Sequence, residues 1–421
     1  MTDYAVLLAA LIALLAGLTI GKAWERYKLR DGRWIDRRKA RESPHYILGL
    51  NFLVSNQIDL AIEELGKAAH LHSDALEIDM ILGNLYREKG QVSRAVHVHQ
   101  ELLQRPKLTK LEHAYVLLCL GLDFKRGGFV DLAFEAFTEV LKLDPQNHYA
   151  LVNLEKLHEE QHQWQQAWEI RQRLSQLGTT AELPRHQEIL AFLENERGQE
   201  ALKRMDYRAA AQHFEAAVDL DRKTVPAYLN LGDVRVFQGQ PAKAAEIWEE
   251  VIKVAPDRAF LAFDRLESVY PTLGTPERFP ELCRRLIAAN NQDWRGRLAL
   301  AGHLATHGAP RDAVSLLFEA LAHNPHALTI HQAIWQNLLR LNLDPALVER
   351  YVELTGQSVF YLDPHVCLRC RYRSTELLWQ CPHCREWNTF VEDRMAPAKE
   401  GDEAGEMAAQ SERGARVVST R

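Results

Sequence analysis

Four of the chain's six cysteines, Cys367, Cys370, Cys381 and Cys384, fall within the eighteen residues CLRCRYRSTELLWQCPHC, while Cys119 and Cys283 lie far upstream. Each C-x-x-C turn can present two thiolates to one ion, and the intervening RYRSTELLWQ is long enough for a hairpin that brings the two turns together. Four thiolates close a tetrahedral site and leave no position for water, which favours a structural or electron-transfer ion over a hydrolytic one. The expected cofactor is one iron or zinc ion. Zinc has the higher intrinsic affinity for such ligands, and availability decides between them.

With Pro382 after the third cysteine and Tyr372, Trp379 and Trp387 nearby, the segment looks like a rubredoxin-type knuckle pair, with a shorter gap between its cysteine pairs than a true rubredoxin has. His365 and His383 are candidates for outer-shell groups, and neither is needed as a ligand. A metal site presupposes reduced thiols, which depends on where the segment resides. The other end of the chain bears on that. YAVLLAALIALLAGLTIG, Tyr4 to Gly21, carries no formal charge, and as a helix it extends about 27 Å, close to the hydrocarbon thickness of a bilayer. Asp3 precedes it, and Lys22 to Arg41 follows with nine basic and three acidic residues. That charge order predicts an uncleaved anchor with the amino terminus outside and the bulk of the chain on the cytoplasmic side. There thiols stay reduced and the cysteines read as metal ligands. Within the anchor, Ala9, Ala13, Gly17 and Gly21 recur every fourth residue and offer a small-residue face to another transmembrane helix.

Between these ends the chain repeats itself. YILGLNFLVSNQIDLAIEEL, MILGNLYREKGQVSRAVHVH and LCLGLDFKRGGFVDLAFEAF share a Gly, an aromatic three residues on, a turn, and an Ala twelve residues after the Gly: Gly49/Phe52/Ala61, Gly83/Tyr86/Ala95 and Gly121/Phe124/Ala133. Glu155/Ala167, Gly198/Ala210, Gly232/Ala244 and Ala301/Ala313 continue the frame, with a longer insertion around GTTAELPRH and degenerate stretches near Tyr270 and Leu341. A period of about 34 residues with small residues at the helix crossings resembles the tetratricopeptide repeat. The predicted fold is all-α: a transmembrane helix (1–23), a basic linker (24–43), about nine repeats forming a superhelix (44–360), a rubredoxin-like metal domain (361–391) and a disordered tail (392–421). At the end of a solenoid the knuckle is expected to cap the last repeats, whose apolar face is otherwise open.

A stacked array of helix pairs has a concave groove suited to protein segments. Arg87, Lys125, Arg126 and Lys203 fall at the ends of first helices, where they are candidates for a basic stripe facing an acidic partner. HEEQH, His158 to His162, matches the zinc-protease pattern H-E-x-x-H. The repeat register, however, puts His162 in a turn, off the helix that carries His158. His97, His99, His303 and His307 read as groove or surface residues, and Cys119 and Cys283 as small packing groups. The overall charge of −6 gives no sign of nucleic-acid binding. The sequence has no phosphate-binding loop, nucleophile elbow or dinucleotide fingerprint. The expected class is non-enzymatic.

An anchor of this orientation, a basic linker, tetratricopeptide units and a terminal four-cysteine knuckle, in that order from Met1 to about Phe390, resemble the lipopolysaccharide assembly protein B (LapB/YciM) family. The resemblance implies an inner-membrane adaptor that restrains lipopolysaccharide synthesis by promoting degradation of LpxC by the FtsH protease. It also implies coordination of other lipopolysaccharide assembly proteins, antagonism by YejM (PbgA), and iron or zinc on the four cysteines. Three other readings stay open on the residues: a membrane-tethered electron carrier, a general tetratricopeptide co-chaperone, and a metalloprotease using Glu159.

Overall fold

The computed structural model describes residues 43–71, 75–106, 108–179, 181–355 and 365–393. The segments read as anchor and basic linker, including Ala9, Ala13, Gly17 and Gly21, lie outside them, as does the tail from 394. Among the described residues no helix is long and apolar enough to cross a membrane.

Among the described residues, eighteen α-helices follow one another in nine pairs: α1 Pro44–Val54 with α2 Ile58–Leu71, α3 Leu76–Glu88 with α4 Val92–Leu103, α5 Lys110–Arg126 with α6 Val130–Leu143, and α7 His148–Glu160 with α8 Trp164–Leu177. Then come α9 Leu183–Lys203 with α10 Tyr207–Leu220, α11 Val225–Phe237 with α12 Pro241–Val254, α13 Phe263–Thr272 with α14 Arg278–Ala289, α15 Trp294–Thr306 with α16 Pro310–His323, and α17 Leu328–Arg340 with α18 Pro345–Thr355. A 3₁₀ turn, Pro256–Ala262, precedes α13. The chain packs as two compact units, residues up to Leu193 and from Glu194 onward. The sequence insertion lengthens α9 rather than adding an unstructured loop.

Each pair turns through a left-handed residue between its helices: Asn56, Gly90, Gly128, His162, Met205, Gly239, Gly274, Gly308 and Asn342 all have positive φ. Each stands seven residues after one fixed position of its first helix, so the turn chemistry sets the register of the pair. At that fixed position the two helices cross. The partner stands sixteen residues on: Gly49 against Leu65, Gly83 against His99, Gly121 against Phe137, Gly198 against Phe214 and Gly232 against Trp248. A Cβ on Gly121 would come within 2.6 Å of the Phe137 ring, which is why these five crossings need glycine. Twelve residues after that fixed position, Ala61, Ala95, Ala133, Ala167, Ala210, Ala244 and Ala313 are fully buried. In the degenerate seventh pair the corresponding residue is Phe279, also buried.

Local signals start several helices. Thr109 and Glu112 form a reciprocal capping box at α5, and Asn147, Asp206 and Asp293 cap α7, α10 and α15 through their side chains. Pro241 and Pro310 open α12 and α16, where a missing N–H is harmless.

Candidate metal centre and the cleft beside it

The residues after α18 build a small β-structure. Strands β1 His365–Cys367, β2 Arg373–Ser374 and β3 Phe390–Glu392 form an antiparallel sheet in the order β2-β1-β3. The two C-x-x-C turns have matching geometry. The Arg371 N–H donates to the Cys367 carbonyl and the Arg385 N–H to the Cys381 carbonyl, each at 2.9 Å. Arg371 and Arg385 both take left-handed φ, 62° and 56°, which redirects the chain after each turn. The Cys367 N–H then bonds the Tyr372 carbonyl and the Cys381 N–H that of Glu386. Phe390 and Trp387 are buried in this unit.

The four sulfurs lie within 4.8 Å of one another, with Cys367 to Cys384 at 3.8 Å and Cys370 to Cys381 at 3.6 Å. A tetrahedron with metal–sulfur bonds of about 2.3 Å has sulfur–sulfur edges of about 3.8 Å, so the donor set has the chemistry and the size for an iron or zinc ion. Among the described residues this is the one such group of potential ligands, and neither His365 nor His383 belongs to it. Burial works against ionisation at Cys367, yet the Thr389 hydroxyl and the N–H groups of Cys370 and Arg369 outweigh it and bring the thiol down to about 6. Burial pushes Cys384 up to about 12 and Cys381 in the same direction, opposed by N–H groups from the residues that follow. Bound metal would supply the charge that holds all four as thiolates.

The knuckle is fastened by two arginines. Arg258, in the 3₁₀ turn, donates to the Asn388 side-chain oxygen at 2.9 Å and lies 5.0 Å from the Trp379 ring, which packs on the core around α13 and α14. Arg295 of α15 pairs with Glu392 at 3.2 Å and lies over Phe260 and Trp294. The expectation that the knuckle caps the last repeats is therefore corrected: it folds back onto the seventh and eighth pairs, while Trp335, Leu339 and Val352 of the last pair stay exposed. Between knuckle and helices lies a cleft of about 960 Å³, lined by Leu298, Ala299, Gly302 and Ala333 from the helices and by His365 and Asp393 from the knuckle.

The four basic groove candidates have different surroundings. Arg87 is paired at 2.9 Å with the fully buried Asp123 of the next repeat, which also holds His99 at 2.5 Å. Lys125 donates to Asn153 at 3.1 Å, whereas Arg126 and Lys203 are exposed. His99 is fully buried rather than on a surface, a correction that the short Asp123 contact explains. Sequence reasoning missed the wider pattern: polar residues on first helices bond across to the next repeat, as in Asn195 with Asn230, Asp233 with Arg265, and Glu267 with His303. Complementary polar residues 32 to 36 positions apart were the available signal. In HEEQH, His158 bonds Gln163 at 2.6 Å, Glu159 is buried, and His162 occupies the left-handed turn with its ring against Trp164. The two histidines do not share a helical face.

Comparison with known proteins matches residues 365–392 to a rubredoxin metal binding domain and residues 195–252 and 229–293 to the tetratricopeptide repeat. The chain is 25% identical over 352 residues to lipopolysaccharide assembly protein B of Escherichia coli K12, covering 83% of this chain and 89% of that one. It is 26% identical over 367 residues to the Haemophilus influenzae protein of the same name, with the same coverage. A tetratricopeptide repeat protein from Parabacteroides merdae aligns over 62% of this chain and 98% of its own at 16% identity, with a TM-score of 0.32.

Proposed function

We propose that this chain, a homologue of lipopolysaccharide assembly protein B, is a non-enzymatic adaptor in lipopolysaccharide assembly, tethered to the inner membrane with its amino terminus periplasmic. The observation that carries this reading is a match over 83% of this chain and 89% of those relatives, in a chain whose two recognisable parts, a repeat array and a closed four-thiolate site, both hold and position rather than react. In this reading the segment Tyr4–Gly21 is the anchor, and its Ala9, Ala13, Gly17 and Gly21 face meets transmembrane helices of FtsH or YejM. The repeats hold LpxC for FtsH, with Arg126 and Lys203 available to an acidic client surface.

The test is depletion of the protein in its native host, with LpxC followed after translation is blocked. A longer LpxC half-life supports the adaptor reading, and an unchanged half-life removes it. Substituting leucine for Gly17 and Gly21 should lengthen LpxC half-life as depletion does, while leaving the repeats folded.

A further inference from the structure

The cleft beside the knuckle has the dimensions of a binding site rather than a packing defect, since cavities of about 300–1,000 Å³ are those that hold ligands. Its lining combines apolar helix residues with more negative than positive groups. The carboxylates of Asp264, Glu267, Glu392 and Asp393 line it with Arg295 and Arg340; Glu392 pairs with Arg295, Asp393 with Arg373 and Glu267 with His303, so that Asp264 is the rim carboxylate outside these pairs. Asp393 is also the last described residue, so the chain continues from the cleft wall itself. The sequence that continues has a segment of complementary chemistry. In ERGARVVSTR, Arg413, Arg416 and Arg421 oppose a lone Glu412, and Val417 and Val418 are adjacent apolar residues.

We infer that residues 413–421 dock in this cleft in cis, with the arginines against the carboxylate rim and the valines on the apolar lining. About twenty residues separate Asp393 from Arg413. That many residues reach at most roughly 70 Å when extended, enough for the segment to return to the cleft as an intramolecular ligand. Any partner segment entering the cleft must then displace the chain's own, and the metal-held knuckle forms one wall of the site they compete for.

Gly302 provides the means to test this, because a Cβ built there meets nothing within 4 Å, so a large side chain enters the cleft without disturbing the helices. The probe is a fluorescent peptide of residues 410–421, and the protein is the full metal-loaded chain in detergent micelles. We expect the Val417→Asp, Val418→Asp double variant to bind the peptide at least tenfold more tightly than the unmodified chain, because its own segment no longer competes. Adding Gly302→Trp to the double variant should abolish binding, and adding Asp264→Lys should weaken it several-fold, with thermal melting unchanged in both. The inference is overturned if the double variant binds no peptide, if it binds no better than the unmodified chain, or if neither cleft substitution matters. Binding that depends on the cleft but is equal in the unmodified chain would leave the cleft as a site and remove the cis occupant.

Discussion

Glu155 and Arg171 stand at the helix crossing that Gly232 and Trp248 occupy two repeats later. Where the other pair fits a ring against a bare backbone, this one inserts a carboxylate and a guanidinium. The Arg171 Nε donates to Glu155 Oε1 at 2.5 Å and a second guanidinium N–H reaches Oε2, with Glu155 fully buried. Two residues unlike those of the other repeats thus fill the same space, because each substitution accommodates the other.

Breaking that pair should cost more than replacing it. Glu155→Ala leaves the Arg171 charge in a site where its side chain is only 12% exposed. Stability should fall by about 3–5 kcal/mol, as for other buried pairs that lose one partner. The double change Glu155→Gly with Arg171→Phe restores the usual crossing and should recover most of the loss. Urea unfolding of the three chains measures both effects, and a double variant as unstable as the single one would show that the crossing is not interchangeable.

Glycine has opposite meanings at two places in the same fold. At Gly232 an added Cβ would collide with the Trp248 indole, whose Nε1 donates to the Leu229 carbonyl at 3.1 Å. Gly232→Ala should therefore destabilise by about 1–3 kcal/mol. At Gly66, inside α2, nothing lies within 4 Å, and Gly66→Ala should stabilise by about 0.5–1 kcal/mol through lower unfolded-state entropy. Thermal melting of the two variants should move in opposite directions.

The local chemistry was legible in the sequence and the long-range chemistry was not. The glycine-to-alanine interval gave the repeat frame, because crossings and turns are set within one helix pair. The cysteine spacing gave the thiolate cluster for the same reason. The seventh and ninth pairs hid because their crossings use Glu267 with Cys283 and Trp335 with Tyr351, pairs that keep the geometry without the signature glycine. Arg87 read as a free groove cation because its partner, Asp123, is a residue of the following repeat. The place where the knuckle docks rests on Arg258 with Asn388, residues 130 positions apart, and no local pattern encodes such a contact.

That docking predicts where metal loss will be felt. Stripping the ion with a chelator should loosen the two turns and release Asn388 and Glu392 from Arg258 and Arg295. Hydrogen exchange should then rise over 256–262 and in α15, while α18 keeps its protection. Arg258→Ala should raise exchange in the same places with the metal still bound. An increase confined to α18 would return the knuckle to the role of end cap.

The last pair should carry its own acid sensitivity. His331 is 3% exposed, its Nε2 lies 2.8 Å from the Pro325 carbonyl, and its Nδ1 lies 2.9 Å from the Tyr351 hydroxyl. A carbonyl only accepts, so Nε2 carries the proton, and Nδ1 receives the hydroxyl of Tyr351 in the neutral ring. Burial lowers the folded-state pKa of His331; the Pro325 carbonyl opposes that shift, and nearby His326 adds to it. The unfolded ring, with its ordinary value near 6.5, therefore takes up a proton at a pH where the folded ring stays neutral. The stabilisation is complete above about pH 6.5 and is lost progressively as the pH falls from there through the lowered folded-state value. His331→Gln keeps a donor for Pro325 and an acceptor for Tyr351 but does not titrate. Unfolding of the carboxy-terminal repeats at pH 7.5 and pH 5 should show a stability loss in the unmodified chain and a smaller one in the variant. Equal losses would place the acid sensitivity in another group.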